Sequence, residues 1–84
     1  MKKTKKDFLI PVEFNGSIPI VQFNGNRQVT IEGSTGVLQY ESEVIKINTK
    51  IMVVALYGRN LNLKCISPVT TIVEGFINKT EFIV

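Results

Sequence analysis

Apolar and polar residues alternate along most of the chain, with the period of two that is typical of half-buried β-strands. In the segment 27–32, Val29 and Ile31 fall on one face and polar side chains on the other. Ile45 and Ile47 repeat the pattern further along. These segments are predicted to be strands with one face toward a core. No apolar stripe of helical spacing and length occurs, so any helix should be short.

Glycine-containing turns separate the predicted strands. Residues 33–36, Gly-Ser-Thr-Gly, are expected to turn the chain between a strand over 27–32 and a strand over 37–41. These two strands would form a β-hairpin with a glycine-flanked loop. In the second strand, Leu38 and Tyr40 are expected to lie on the buried face.

The segment 50–57 departs from simple alternation, because apolar residues occupy both of its faces. A strand of this kind needs cover on both sides. Only one of its faces can be used by the core of a small domain, so the other is free for a partner. The predicted core face holds Met52, Val54 and Leu56, and the opposite face holds Ile51, Val53, Ala55 and Tyr57.

The last third of the chain is predicted to contain four short segments. Residues 58–60, Gly-Arg-Asn, are expected to form a tight turn before a strand over 61–65, in which Cys65 falls in phase with the core. Pro68 ends that strand, because it lacks the amide hydrogen that a ladder position requires. The final two segments run over 70–74 and 76–84 on either side of Gly75, with Ile72 and Phe82 buried.

The pattern as a whole predicts an all-β fold: a small single domain of about seven to nine short, mainly antiparallel strands. A sandwich, a rolled sheet and a short solenoid-like stack all remain open. Residues 1–7 are predicted to be a flexible basic tail and residues 8–84 a single β domain. The similar segments 12–16 and 21–25, each ending in Asn-Gly, are interpreted as two strand-turn units rather than as a repeat architecture.

The formal net charge of +3 comes from the amino-terminal end of the chain. Removing residues 1–6 leaves six basic and seven acidic residues, a net charge of −1. The rest of the protein thus has no excess positive charge with which to follow a phosphate backbone, and no nucleic-acid partner is expected. The tail is interpreted as solvated, and the alternative is an arm that contacts an anionic surface through Lys2, Lys3, Lys5 and Lys6.

The reactive side chains argue against catalysis. The 84 residues include no histidine and one cysteine, Cys65, so neither a thiol-imidazole pair nor an internal disulfide can form. Glu41 and Glu43 lie at a polar strand junction, where a solvated turn is a better explanation than a catalytic dyad. We expect no catalytic, cofactor-binding or metal-binding residues and no small-molecule substrate. A reducing, cytoplasmic compartment fits the single cysteine, and no apolar stretch approaches the length of a membrane span.

Several short segments, in order and spacing, resemble the YabP/YqfC family of sporulation proteins and are closest to the YqfC-like branch. The similarity extends over about residues 8–83. The chain departs from the family pattern after Pro68, where Val69 and Thr70 replace the usual acidic residues. The matching segments are Pro19-Ile20-Val21, Gly25-Asn26, Val29 to Gly33, Gly36 to Tyr40, Glu43 to Asn48, Gly58 to Lys64, Ile66, Pro68, Ile72 to Ile77 and Glu81-Phe82-Ile83.

The resemblance implies a non-enzymatic protein that acts in spore envelope construction, in the cytoplasm of the mother cell and at the forespore surface. It brings no catalytic or cofactor residues. Combined with the two-faced strand, it suggests a structural, scaffold or assembly role through contacts with further copies of the chain or with another sporulation protein. The competing hypothesis is a surface-recruited module, held weakly to a membrane or nucleic acid by the lysine tail. The candidate interface residues are Ile51, Val53, Tyr57 and Arg59.

Overall fold

The protein is a single antiparallel sheet. The computed structural model describes residues 18–84, and these residues form six strands and no helix. The strands are β1 (Ile20–Asn24), β2 (Gln28–Glu32), β3 (Ser34–Tyr40), β4 (Val44–Thr49), β5 (Val53–Ile66) and β6 (Thr70–Ile83). They are ordered β1-β2-β6-β5-β4-β3 across the sheet, and every neighbouring pair is antiparallel. The predicted all-β, mainly antiparallel fold is confirmed.

The strand count is slightly below the predicted range because two predicted turns lie inside strands. Residues 58–60 fall within β5, and Gly75 falls within β6, so each of these strands has 14 residues. The turn-forming residues at these points produce irregular pairing instead of chain reversal. Asn60 has a φ of 53° and Gly75 a φ of 144°, and the β5-β6 register shifts between Arg59 and Asn62. Such shifts bend a strand without ending it.

The predicted hairpin between the segments 27–32 and 37–41 is wrong. β2 pairs with β1 and β6, whereas β3 pairs with β4 alone. Gly33 is the one residue between β2 and β3, and its N–H donates to the carbonyl of Val69 at 2.6 Å. The Ser34 N–H donates to the same carbonyl at 3.3 Å. The chain therefore crosses the β5-β6 turn and enters the far edge of the sheet.

The long β5-β6 hairpin divides the sheet into two halves. The first half of β5 pairs with the end of β6 and with β4, while its second half pairs with the start of β6. That start of β6 pairs in turn with β2. One half therefore contains β1 and β2, the other contains β3 and β4, and the irregular stretch of the hairpin joins them.

Two other turns supply hydrogen bonds at this bend. The N–H groups of Gly58 and Leu61 donate to the carbonyls of Glu43 and Ser42, at 3.1 and 2.9 Å. On the other strand, Gly75 N–H donates to the carbonyl of Arg27 at 3.0 Å. Backbone groups freed by the register shifts thus find partners in the β3-β4 and β1-β2 turns, as buried backbone donors require.

A single apolar core lies between the two halves. Val29 and Ile31 of β2 share one buried cluster with Ile45 and Ile47 of β4, although β6 and β5 separate these strands in the sheet. Since residues 18–84 contain no helix to cover a sheet face, the bend must bring the halves face to face. Each such side chain contributes about 1.5–3 kcal/mol on burial. The predicted burial of these four residues is confirmed.

Three expected core positions are wrong, and two of them follow from register shifts. Cys65 is exposed, because a shift between Leu63 and Cys65 reverses the side-chain phase of the strand. Leu38 is exposed for the same reason, since a shift next to Val37 leaves that valine packed on the core instead. Tyr40 is also exposed, at the end of the edge strand β3.

Two further expectations concern β6. Ile72 was expected to be buried and is only half-buried, because it lies on the outer face next to Thr30 of β2. Phe82 was also expected to be buried and is 53% exposed. It pairs with the buried Val54 and so lies on the inner face, but at the end of the sheet, beyond the buried cluster.

Candidate interaction surfaces

An exposed apolar surface forms where β5 begins and β6 ends. Val53 lies opposite Ile83 in the ladder, and Phe82 is next to it in β6. Ile51, in the β4-β5 turn, precedes Val53 by two positions. Ile51 and Phe82 are each 53% exposed and Ile83 is 39% exposed. Phe82 lies on the inner face, so we call the outer surface formed by Ile51, Val53 and Ile83 the apolar end surface.

The β4-β5 turn holds Ile51 at this position through the buried side chain of Thr49. The Thr49 hydroxyl donates to the Met52 carbonyl at 2.7 Å. Its oxygen accepts from the N–H groups of Met52 at 3.1 Å and of Ile51 at 3.4 Å. Three turn groups are therefore satisfied by one hydroxyl, and the Ile51 side chain in this turn is 53% exposed.

Tyr57 lies on the same outer face but has polar neighbours. Its hydroxyl donates to Glu81 Oε1 at 3.2 Å, and Lys79 Nζ lies 5.0 Å from the centre of its ring. Desolvation raises the pKa of Tyr57 above its usual value of 10.0, and the hydrogen bond to Glu81 and that carboxylate's charge add to the rise. The middle of the outer face is thus partly covered by charged side chains, and Ala55 between them is fully buried.

Arg59, the fourth candidate interface residue, lies at the bend. Its guanidinium carbon is 5.1 Å from the centre of the Phe76 ring. The guanidinium carbon of Arg27, from the β1-β2 turn, lies 4.2 Å from the same ring. The structure therefore brings Ile51 and Val53 together at the end of the sheet and places Arg59 in a different, charged environment.

A groove of about 490 Å³ opens at the bend; Arg27 and Phe76 line it, and Arg59 reaches it only through its contact with the Phe76 ring. Along it, Glu74 accepts hydrogen bonds from Gln28 Nε2 and Lys64 Nζ, both at 3.1 Å. The Lys64–Glu74 contact is also an ion pair between partly exposed side chains. We call this the bend groove; its lining residues are Arg27, Gln28, Asn60, Asn62, Glu74, Gly75 and Phe76.

The residues that sequence reasoning missed are those that become neighbours through pairing. Ile83 joins Ile51 and Val53 only because β6 returns along β5. Its apolar character was visible in the sequence, but the register that brings it next to Val53 was not. Lys2, Lys3, Lys5 and Lys6 lie outside the described residues.

Within residues 18–84 no group of three or more His, Cys, Asp or Glu side chains is placed to hold a metal ion. Across the same residues, no helix is long and apolar enough to cross a membrane. Cys65 is exposed, and the chain has no histidine that could act as its base. The chemically distinctive features of the described part of the protein are therefore the apolar end surface and the bend groove.

These features define a small all-β domain built on one bent antiparallel sheet. The family model of the YabP family matches residues 17–83, which is most of the chain. The protein therefore belongs to the YabP family, and the resemblance noted in the sequence is confirmed. No curated protein matches it.

Proposed function

We propose that this protein is a non-enzymatic assembly protein of sporulation that acts in spore envelope formation by associating with further copies of itself. Membership in the YabP family is consistent with a sporulation-related protein. The assembly role, the self-association and a location in the mother-cell cytoplasm at the forespore surface are the proposed part. These proposals go beyond the family assignment and rest on the exposed apolar residues of the domain.

The observation that carries this proposal is the apolar end surface. Covering a partly exposed Ile or Val side chain is worth roughly 1 kcal/mol, so three such residues on each of two copies together contribute about 6 kcal/mol. Association itself costs about 4 kcal/mol or more in lost freedom of motion. A contact through this surface alone is therefore weak and depends on protein concentration. A contact of that strength suits reversible pairing, and a larger assembly needs further contacts at other surfaces of the domain.

A second copy is the partner that fits this surface best. Lys50 precedes Ile51 in the chain, and Glu81 comes two residues before Ile83, so charges of opposite sign flank the apolar residues. A two-fold contact is reciprocal: if one residue of the first copy contacts another residue of the second copy, the same pair also meets with the two copies exchanged. Such a contact can place Lys50 of one copy near Glu81 of the other, and no other protein is needed for charge complementarity.

The composition supports a role without catalysis. The chain has no histidine and a single cysteine. Acid-base and nucleophilic catalysis at neutral pH depend mainly on groups of those kinds or on carboxylates with raised pKa values. The role of the protein is accordingly proposed to lie in contacts with other molecules.

The second candidate function is recruitment to an anionic membrane by the lysine tail. Four of the ten basic residues fall within residues 2–6. Near an anionic membrane each lysine contributes about 1 kcal/mol, enough for weak recruitment but not for stable anchoring. This mode of binding weakens with salt, whereas apolar association does not.

The two candidates are separated by solution mass, measured by light scattering coupled to size exclusion at several protein concentrations, and by binding to anionic lipid vesicles. Self-association that survives high salt and deletion of residues 2–6 supports the assembly proposal. A monomer at every concentration, with vesicle binding that disappears on deletion of residues 2–6, refutes the assembly proposal and supports the tail.

A further inference from the structure

The bend groove and the neighbouring Arg59 form an arrangement of charge that the assembly proposal does not use. Arg27 and Arg59 approach the same ring, that of Phe76, at 4.2 and 5.1 Å. Their guanidinium carbons are therefore less than about 10 Å apart, and both arginines are exposed. Among residues 18–84 the structure forms one ion pair, Lys64–Glu74, and neither arginine takes part in it.

Stacking on an aromatic ring prepares an arginine to bind an anion. The ring contacts the flat face of the guanidinium and leaves its N–H groups free at the edge, where they match the two oxygens of a carboxylate. Holding the side chain in place also reduces the entropy lost on binding. The two arginines repel each other, and an anion between them relieves that repulsion.

The charges at and next to the groove sum to a positive value. Arg27 and Glu74 are the charged lining residues, and Lys64 Nζ lies 3.1 Å from Glu74 Oε2 and offsets its charge. With the neighbouring Arg59 and Lys64 counted, three positive charges stand against Glu74, a local net charge of +2. Asn60 and Asn62 also line the groove, and their side-chain amides are suited to hydrogen bonds with a peptide backbone.

We propose that the bend groove binds an acidic segment of a partner protein, with Arg27 and Arg59 holding its carboxylates over Phe76. A short segment fits better than a long polyanion, because the positive charge is local: residues 7–84 carry a net charge of −1. The volume of about 490 Å³ suits a few residues. This site goes beyond the proposed self-association, which uses the start of β5, whereas the groove lies beside its middle.

The test uses a fluorescent hexaglutamate peptide and the full chain. Lys2, Lys3, Lys5 and Lys6 are replaced by glutamine in every sample, so that the tail does not bind the peptide. Arg27→Gln with Arg59→Gln is expected to weaken binding by roughly tenfold, the loss typical of charge-assisted hydrogen bonds. Circular dichroism checks that the variant is folded.

Two controls separate a built site from general attraction. Lys46→Gln with Lys50→Gln removes the same charge elsewhere and is expected to leave binding within about twofold, as exposed charges contribute little. Arg27→Lys with Arg59→Lys keeps the charge but loses the stacked fork, and it is expected to weaken binding as the glutamine pair does.

Three results would overturn the proposal. The first is no hexaglutamate binding by the protein with intact arginines, and the second is an equal loss in the Lys46 and Lys50 variant. The third is tighter binding, through the two arginines, of a single-stranded oligonucleotide of the same charge as the peptide. That last result would assign the groove to phosphate instead of to an acidic protein segment.

Discussion

Gly58 of β5 packs directly against the backbone of Phe76 in β6. A Cβ atom at Gly58 would overlap the carbonyl oxygen of Phe76 and lie 2.8 Å from its carbonyl carbon. At the same bend, a Cβ at Gly75 would lie 2.6 Å from the Asn60 carbonyl oxygen. The close approach of the two strands at the bend therefore depends on the absence of side chains at these glycines.

Replacing Gly58 with alanine should destabilise the protein by about 2–4 kcal/mol, because backbone atoms must move to make room. Gly36→Ala is the matched control, since no atom lies within 4 Å of the added Cβ, and it should change stability by less than about 1 kcal/mol. Urea unfolding followed by circular dichroism measures both. Equal stability of the two variants would show that the bend tolerates a side chain.

The exposure of Cys65 predicts that its thiol reacts in the folded protein. A thiol reagent such as dithiobisnitrobenzoate should label it without denaturant, because the register shift turns the side chain outward. Cys65→Ser should change the free energy of unfolding by less than about 0.5 kcal/mol, as is usual for exposed positions. Labelling that requires denaturant would contradict the register of β5 described above.

A buried pair of hydroxyls links β3 to β6. Ser34 Oγ lies 2.9 Å from Thr71 Oγ1, and the two side chains are 5% and 2% exposed. Thr71→Val should cost about 1–2 kcal/mol, since it leaves the Ser34 hydroxyl without this partner. In a double-mutant cycle measured by urea unfolding, Ser34→Ala should destabilise the Thr71→Val variant by about 1 kcal/mol less than it destabilises the unaltered protein. Additive costs would show that the hydroxyls do not interact.

The pKa of Tyr57 is raised by desolvation and by Glu81. The folded protein therefore holds the phenol proton more tightly than the unfolded chain, and this contribution to stability is present below pH 10 and lost as the pH rises through the folded pKa. Absorbance titration in a Tyr40→Phe background should show Tyr57 ionising above its usual value. Glu81→Gln should lower its pKa. A Tyr57 pKa unaffected by that substitution would contradict the contact.

The all-β fold class and much of the core could be predicted, because both depend on the local alternation of apolar and polar residues. Val29, Ile31, Ile45 and Ile47 lie in β2 and β4, which alternate regularly because the register shifts fall in β3 and in the β5-β6 pair, and their phase in the sequence is their phase in the sheet. Cys65 could not be predicted in this way, because one shift in β5 reverses the phase after Leu63 and alternation alone does not show where a shift occurs.

The pairing of distant strands could not be predicted from local patterns. Gly33 and Gly75 both have positive φ values, and such residues fit hairpin turns, crossings and bulges equally well. The candidate interface shows the same limit. Ile51 and Val53 were found from their two-faced strand, whereas the neighbouring Ile83 and the meeting of Arg59 with Phe76 depend on the β5-β6 register.

The most direct test of the proposed assembly role is the solution mass of a variant carrying Ile51→Glu and Ile83→Glu. Light scattering coupled to size exclusion, in a Cys65→Ser background that excludes disulfide dimers, should show a mass that rises with protein concentration and resists salt for the unaltered surface, and a folded monomer at every concentration for this variant. The control carries Leu38→Glu and Val69→Glu, at exposed apolar positions elsewhere, and should remain an oligomer. A monomer before any substitution, or an equal loss of mass in the control, would contradict association through the apolar end surface.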